Sequence, residues 1–332
     1  MFNNKSILIT GGTGSFGQYF LSVLLKKYKK IKKIVIFSRD ELKQFELENR
    51  IDQKFLKKIR FFVGDVRDKD RLITAFNNID YVIHAAALKQ VPKAEYNPNE
   101  YIKTNIQGSQ NVIDAAIKNS VKKVIALSTD KAAAPINLYG ATKLCADKLF
   151  SSANNIIGSK NIKFSVVRYG NVLGSRGSIL PFLLKQKKQH YFTITDENMT
   201  RFNITLKEAS EMVLWAFQNC KGGEIFVPKI PSFKILDLAK AIDNRKKIIF
   251  IGIRPGEKIH EEMITVSDSY NTIDLGKKYF AILNSSNNKL TSLYYKSKKV
   301  KKNFSYNSGN NSKFLNIKDL KKLIKDYQKN SI

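Results

Sequence analysis

The chain has 332 residues, 43% hydrophobic and 11% aromatic, which is enough apolar material for a sizeable core and too much for a disordered chain. Its 58 lysines and arginines against 28 aspartates and glutamates leave a net charge of +30. An anionic substrate, a nucleic acid or an acidic membrane surface all fit that balance, as do plain lysines spread over solvated faces. Two cysteines, Cys145 and Cys220, exclude a secreted disulfide scaffold and suggest a reducing compartment. Three scattered histidines (His84, His190 and His260) leave little for a zinc module, and no metal is expected.

Ser6 to Leu25 is uncharged and follows Lys5, as a signal or membrane segment would be. Gly11, Gly12, Gly14 and Gly17, with Thr10, Thr13, Ser15 and Gln18, interrupt it where such a segment needs a continuous apolar core. A soluble, cytoplasmic protein is expected. Ile7-Leu8-Ile9 instead predicts a strand, the glycines a turn, and Tyr19, Phe20, Val23, Leu24 and Tyr28 a helix. Gly12-x-Gly14-x-x-Gly17, overlapping Gly11-x-x-Gly14-x-x-Gly17, fits a dinucleotide fingerprint in that strand-turn-helix context. Small residues there let backbone amides approach a pyrophosphate at the helix N-terminus.

Ile34–Phe37 predicts a second strand, ending in Ser38-Arg39-Asp40. An acidic residue at this point would bind a ribose diol and a cation would accommodate a 2′-phosphate. Arg39, backed by Lys43, favours NADP, whereas Asp40 is either a diol ligand or the N-cap of the next helix. Phe61–Val63 predicts a third strand, and Asp65 after it either holds the adenine edge or caps a turn. Tyr81–His84, Val124–Leu127 and Phe164–Val167 complete six strands. Apolar runs without alternation, separated by helical segments, indicate a parallel sheet covered on both faces. The expected fold is a Rossmann-type doubly wound α/β sheet with a smaller C-terminal substrate-binding region. Residues 1–170 form the nucleotide-binding domain, with parts of roughly 200–230 returning to it, and residues 171–332 mainly bind substrate. Asn284 to Lys313 is polar and reads as exposed loop. Ile317, Leu320, Leu323, Ile324 and Tyr327 line one face of a C-terminal helix.

Ser128-Thr129-Asp130-Lys131 follows the fifth strand, and Tyr139 and Lys143 share one face of the next helix. A nearby ammonium favours tyrosinate, which a proton acceptor needs when hydride leaves a carbinol. With the glycine fingerprint upstream, this order resembles the extended, nucleotide-sugar-modifying short-chain dehydrogenases/reductases. Ala86-Ala87-Leu88-Lys89-Gln90-Val91-Pro92, Ser128 to Ala132, Met199-Thr200-Arg201-Phe202 and Gly252 to Lys258 are similar to the inverting UDP-N-acetylglucosamine 4,6-dehydratases, nearly end to end.

The resemblance implies a hydro-lyase that recycles tightly held NADP and gives an L-configured 4-keto-6-deoxy product, the first step of pseudaminic acid synthesis for flagellin glycosylation. It implies a homo-oligomer acting on UDP-N-acetylglucosamine. Tyr139 is then the C4 base supported by Lys143, Lys131 takes the C5 proton, Asp130 serves the leaving hydroxyl, and Thr129 orients the C4 oxygen. Gly11, Thr13, Gly14, Ser15, Phe16, Gly17, Arg39, Asp40, Lys43, Asp65, Val66, Ala85, Ala86, Lys89, Val172, Tyr139 and Lys143 are expected around the cofactor. Lys89, Tyr139, Asn171, Arg176, Thr193, Arg254 and Glu257 are expected around the UDP-sugar, cations on the phosphates and polar groups on hydroxyls. Asn105 matches a position that supports the Tyr-Lys pair. A retaining dehydratase and a UDP-sugar 4-epimerase remain as alternatives. An NADP- or RNA-binding protein is a third, resting on Lys296 to Lys302 with Phe304 and Tyr306, although neither a nucleic-acid nor a membrane partner is expected.

Overall fold

A computed structural model describes residues 1–175, 177–284 and 287–330. The first six strands are β1 (Ser6–Thr10), β2 (Lys33–Ser38), β3 (Ile59–Val63), β4 (Tyr81–His84), β5 (Lys123–Thr129) and β6 (Lys163–Tyr169). All are parallel, in the order β3-β2-β1-β4-β5-β6. β1 and β4 are buried along their whole length, because helices cover both faces. The chain reverses its direction of winding between β1 and β4, which opens a crevice beyond the carboxyl ends of those strands. Helix α1 (Ser15–Lys27) follows β1, and helix α2 (Glu41–Asn49) follows β2.

The sheet does not stop at six strands. Ile225–Pro228 adds in parallel beside β6, and Tyr279–Ile282, Thr272–Asp274 and Lys298–Lys299 extend the sheet antiparallel. Short antiparallel edge strands carry little periodicity, so they escaped the sequence reading. Much of 284–313 is exposed as expected, but it is not all loop. The segment holds a helix (Asn288–Leu293) and two short strands, with Leu290, Tyr306 and Ser308 buried. The Tyr306 hydroxyl accepts from the Ile230 amide at 2.9 Å and donates to the Ile230 carbonyl at 2.8 Å.

A second core lies beyond residue 170. Leu180, Leu183, Phe192, Ile194, Phe233 and Leu238 pack together with Leu320 and Ile324 of the C-terminal helix Ile317–Asn330. Tyr327 of that helix lies over Gly174, where a Cβ would come within 2.2 Å of its ring. The loop that leaves β6 is therefore held from the far end of the chain. Among the described residues no helix is long and apolar enough to cross a membrane.

Candidate active site

The crevice is a cleft of about 990 Å³ running from the glycine turn to the second core. Gly11 adopts φ +66°, and a Cβ there would lie 2.8–2.9 Å from the backbone of Ala85 and Ala86; one at Gly17 would lie 2.5 Å from Gly12. Turn, helix and β4 thus meet backbone to backbone. Helix α1 has no side-chain cap from Gly14 and no acidic residue in its first turn, so its positive end faces the cleft without a competing carboxylate.

Below the turn, the Thr10 hydroxyl accepts from the amides of Ala85 and Ala86 (3.2 and 3.3 Å) and so donates to His84 Nδ1 at 2.8 Å. Burial, with the charge of Lys143, pushes the His84 pKa down to about 3. Its folded-state value lies below the unfolded one, so its contribution to stability is complete above pH ~6.5 and is lost as pH falls from there towards 3. A His84→Gln variant is expected to lose less melting temperature than wild type between pH ~7.5 and ~5; equal losses in scanning calorimetry would assign the acid sensitivity elsewhere.

At the end of β2, Arg39, Asp40 and Lys43 all line the cleft. Asp40 is the N-cap of α2, accepting from the Lys43 amide at 3.0 Å and pairing with its ammonium. Arg39 lies 3.5 Å from Asp65. Asp65 accepts from the Arg67 amide and Nε (3.0 and 2.9 Å). Its neighbours Gly64 and Val66 line the cleft, while the Asp65 side chain does not. Desolvation acts to raise the Asp65 carboxyl, but Arg67 and Arg39 together hold it below the usual range.

The catalytic candidates converge because of one glycine. Asn137 caps the helix Leu138–Ser152 through the Gly140 amide at 2.8 Å, and a Cβ on Gly140 would sit 2.3 Å from the Lys131 carbonyl. Only glycine lets this helix press against the Asp130–Ala132 turn, and that contact brings Tyr139 beside Thr129 and Lys131. Burial pushes the Tyr139 phenol up to about 12, while the charge of Lys131 and a hydrogen bond with Thr129 oppose the rise. The expected partner, Lys143, is buried and donates to the Leu127 carbonyl at 2.9 Å. In this geometry the cation acting on Tyr139 is Lys131. Desolvation holds Lys143 below the usual lysine range, and the charge of Asp147 only partly opposes it.

Lys131 carries the densest electrostatics. Its Nζ lies 3.1 Å from Asp130 Oδ1 and 2.9 Å from Glu261 Oε1. Desolvation acts to lower its pKa, yet Asp130 and Glu261 overturn that and hold it above the usual lysine range. Asp130 is fully buried, and its carboxyl is raised by desolvation with a further push from Glu261. It does not line the cleft. It reaches the cleft through Lys131 and through the Thr129 hydroxyl, 3.0 Å from its Oδ1. Thr129 and Lys131 thus stand between the cleft and Asp130, the residue to which the resemblance gives the leaving hydroxyl.

Lys89, Asn171, Val172, Thr193, Arg254 and Glu257 all line the same cleft, whereas Arg176 lies outside the described residues. Lys89 is lowered from the usual lysine range by desolvation and by the charge of Lys131. Asn105, in a π-helical turn, donates to the Leu88 carbonyl and to Thr142 Oγ1 and accepts from the Leu88 amide, fixing the loop beside Lys89. Buried Ser128 Oγ and Thr104 Oγ1, on the cleft wall, have no partner among the described residues. Sequence reasoning missed Glu261, although a second acidic residue just before the apolar Met263-Ile264 pair was a usable signal. Among the described residues no cluster of three or more His, Cys, Asp or Glu could hold a metal ion.

Residues 7–283 match the family model described as polysaccharide biosynthesis protein. The chain is 54% identical to an inverting UDP-N-acetylglucosamine 4,6-dehydratase of Campylobacter jejuni, over 98% of both chains. It is 41% identical to a UDP-glucose 4-epimerase of Rickettsia akari, over 98% of this chain and 96% of that one. The solved structure of Pen from Bacillus thuringiensis superposes with a TM-score of 0.89 at 40% identity, covering 98% of this chain and 99% of that one.

Proposed function

Because the chain belongs to the polysaccharide biosynthesis protein family, among the extended short-chain dehydrogenases/reductases, we propose that it dehydrates UDP-N-acetylglucosamine across C5 and C6, with inversion at C5. The observation that carries the reading is the Asp130–Lys131 pair, joined to Glu261 and set against Tyr139 in one cleft. Epimerisation at C4 needs Tyr139 and a cation beside it, and leaves the buried carboxyl partners of Lys131, Asp130 and Glu261, without work. Elimination needs that cluster. The epimerase reading, favoured by the Rickettsia relative, is thereby second.

The cleft suits a dinucleotide: a glycine turn that side chains would fill, the N-terminus of α1 with no acidic residue in its first turn, and the buried hydroxyls of Ser128 and Thr104 on its wall. Gly11 to Gly17, Ala85, Ala86 and Val172 would line it, with Tyr139 and Lys143 at its far end. Arg39 and Lys43 support NADP over NAD; tighter binding of NAD than of NADP would overturn this preference. When bound, the cofactor supplies reversible hydride transfer, from C4 first and to C6 last.

Tyr139 takes the C4 hydroxyl proton, and the resulting ketone acidifies C5. Lys131 passes its resting ammonium proton through Asp130 and Thr129 to the departing C6 hydroxyl and takes the C5 proton in its place. The proton from C5 replaces the one that leaves with water; when C6 is reduced, C5 takes a solvent proton on its opposite face while the proton held by Tyr139 returns to solvent, so the cluster and Tyr139 end as they began. Lys89 and Arg254 bind the diphosphate as cations, and Asn171, Thr193 and Glu257 bind hydroxyls. The product feeds pseudaminic acid synthesis and flagellin glycosylation, and the enzyme acts in the cytoplasm as a homo-oligomer. Incubating the purified protein with UDP-N-acetylglucosamine tests the reading by mass spectrometry and proton NMR. Loss of one water supports it, and an unchanged mass with a C4-epimeric sugar in the NMR spectrum would replace it with the second reading.

A further inference from the structure

Lys131 is fixed by an element far from its own. Glu261 is only 2% exposed, yet it is ringed by charge: Lys131 Nζ at 2.9 Å and Arg201 Nε at 3.7 Å, both on Oε1. Its Oε2 is buried on the cleft wall with no hydrogen-bond partner among the described residues. Burying a carboxylate with one oxygen unsatisfied costs free energy, so such a group persists where the surroundings hold it there.

Those surroundings come from three separate stretches of chain. The Glu261 amide donates to Ser308 Oγ at 2.9 Å, and the Ser308 amide donates back to the Glu261 carbonyl at 2.8 Å. Ser308 Oγ in turn lies 2.7 Å from Thr200 Oγ1, which is 2.8 Å from His260 Nδ1. A Cβ on Gly309 would come within 2.6 Å of the His260 ring, so the segment after Tyr306–Asn307 is pressed onto this clamp. Arg201 donates to the carbonyls of Thr200 and Ile259 (2.7 and 3.1 Å), which locks it beside the same carboxylate.

We propose that Glu261 is a positioning residue for elimination: its carboxylate seats the Lys131 amine towards C5 and sets the charge at which it rests. The inference rests on the dehydratase reading above. The charged and titratable groups facing Lys131 are Asp130 on its own turn, Tyr139 on the next helix, Lys89 after β4, Arg201, and Lys258 with Glu261 itself. Asp130 is driven towards its neutral form by burial, which leaves Glu261 as the lasting counter-charge. Without it, desolvation would lower Lys131 and let its amine drift.

The test uses the full chain with NADP and UDP-N-acetylglucosamine, comparing wild type with E261Q, which keeps an acceptor but loses the charge. C4 oxidation is read from the absorbance of reduced nicotinamide, and elimination from deuterium uptake at C5 in heavy water. The ratio of elimination to oxidation is expected to fall ~100-fold. The alkaline-going limb of C5 exchange should move to lower pH, and E261D should restore part of the ratio. Equal losses in both half-reactions, or an unmoved limb, would overturn the proposal; if E261Q does not fold, E261D is judged on the same ratio. A wild type that forms ketone but never exchanges C5 overturns the dehydratase reading itself, and this inference with it.

Discussion

Replacing Lys131 by methionine is expected to cut dehydration roughly a hundred- to ten-thousand-fold, the usual range for removing a general acid or base. C4 oxidation should fall as well, because Lys131 is the cation that stabilises the Tyr139 tyrosinate, but by less than dehydration. Methionine keeps most of the aliphatic length and removes the charge between Asp130 and Glu261, two buried carboxyl groups that would then face each other without the cation that bridges them, Glu261 keeping only the more distant Arg201. One of them will take up a proton, since like charges in a desolvated site cannot both stay ionised. A Lys131→Met protein should therefore show raised stability at mildly acidic pH relative to neutral pH, the reverse of the trend set by His84. Comparable losses in oxidation and dehydration would mean that Lys131 only shapes the site.

Tyr139→Phe is the second large effect, and it should strike both half-reactions. The phenol is buried with its pKa at about 12 in the cofactor-free protein, so it rests as the neutral acid at physiological pH. Acting as base requires stabilising tyrosinate, and the cations that can do so are Lys131, already felt by the phenol, and whatever charge a bound nicotinamide brings. Activity should accordingly rise with pH until the apparent value of the occupied site, which must fall well below 12. Tyr139→Phe should lose about a hundred- to ten-thousand-fold in oxidation and erase that limb. A variant that still oxidises C4 near the wild-type rate would remove Tyr139 from the mechanism.

The parts that could be read from sequence are those whose constraint is local. Gly11, Gly14 and Gly17 are each demanded by a turn within a few residues, and the β-branched runs of the first six strands are long enough to show their burial. Tyr139 and Lys143 announce themselves by helical spacing. What the sequence hid depends on distant parts of the chain. Gly140 looks like an indifferent helical glycine until the Lys131 carbonyl is seen against it. Asp130 sits next to Lys131 in sequence, but the turn drives its carboxyl behind the cleft wall. Ser308 lies in a lysine- and asparagine-rich stretch whose apolar anchors, Leu290 and Tyr306, are too far apart to make a pattern. Glu261 is one of several acidic residues in its segment, and only the packing of Ser308 and Arg201 singles it out.

The most direct test of the account is proton NMR of UDP-N-acetylglucosamine turned over in deuterated water without added cofactor. The account predicts a 4-keto-6-deoxy sugar carrying deuterium at C5 in the L configuration, formed by cofactor that stays with the protein. A product that keeps its water and its C5 proton and differs only at C4 would contradict it, and would return the Asp130, Lys131 and Glu261 cluster to a structural role.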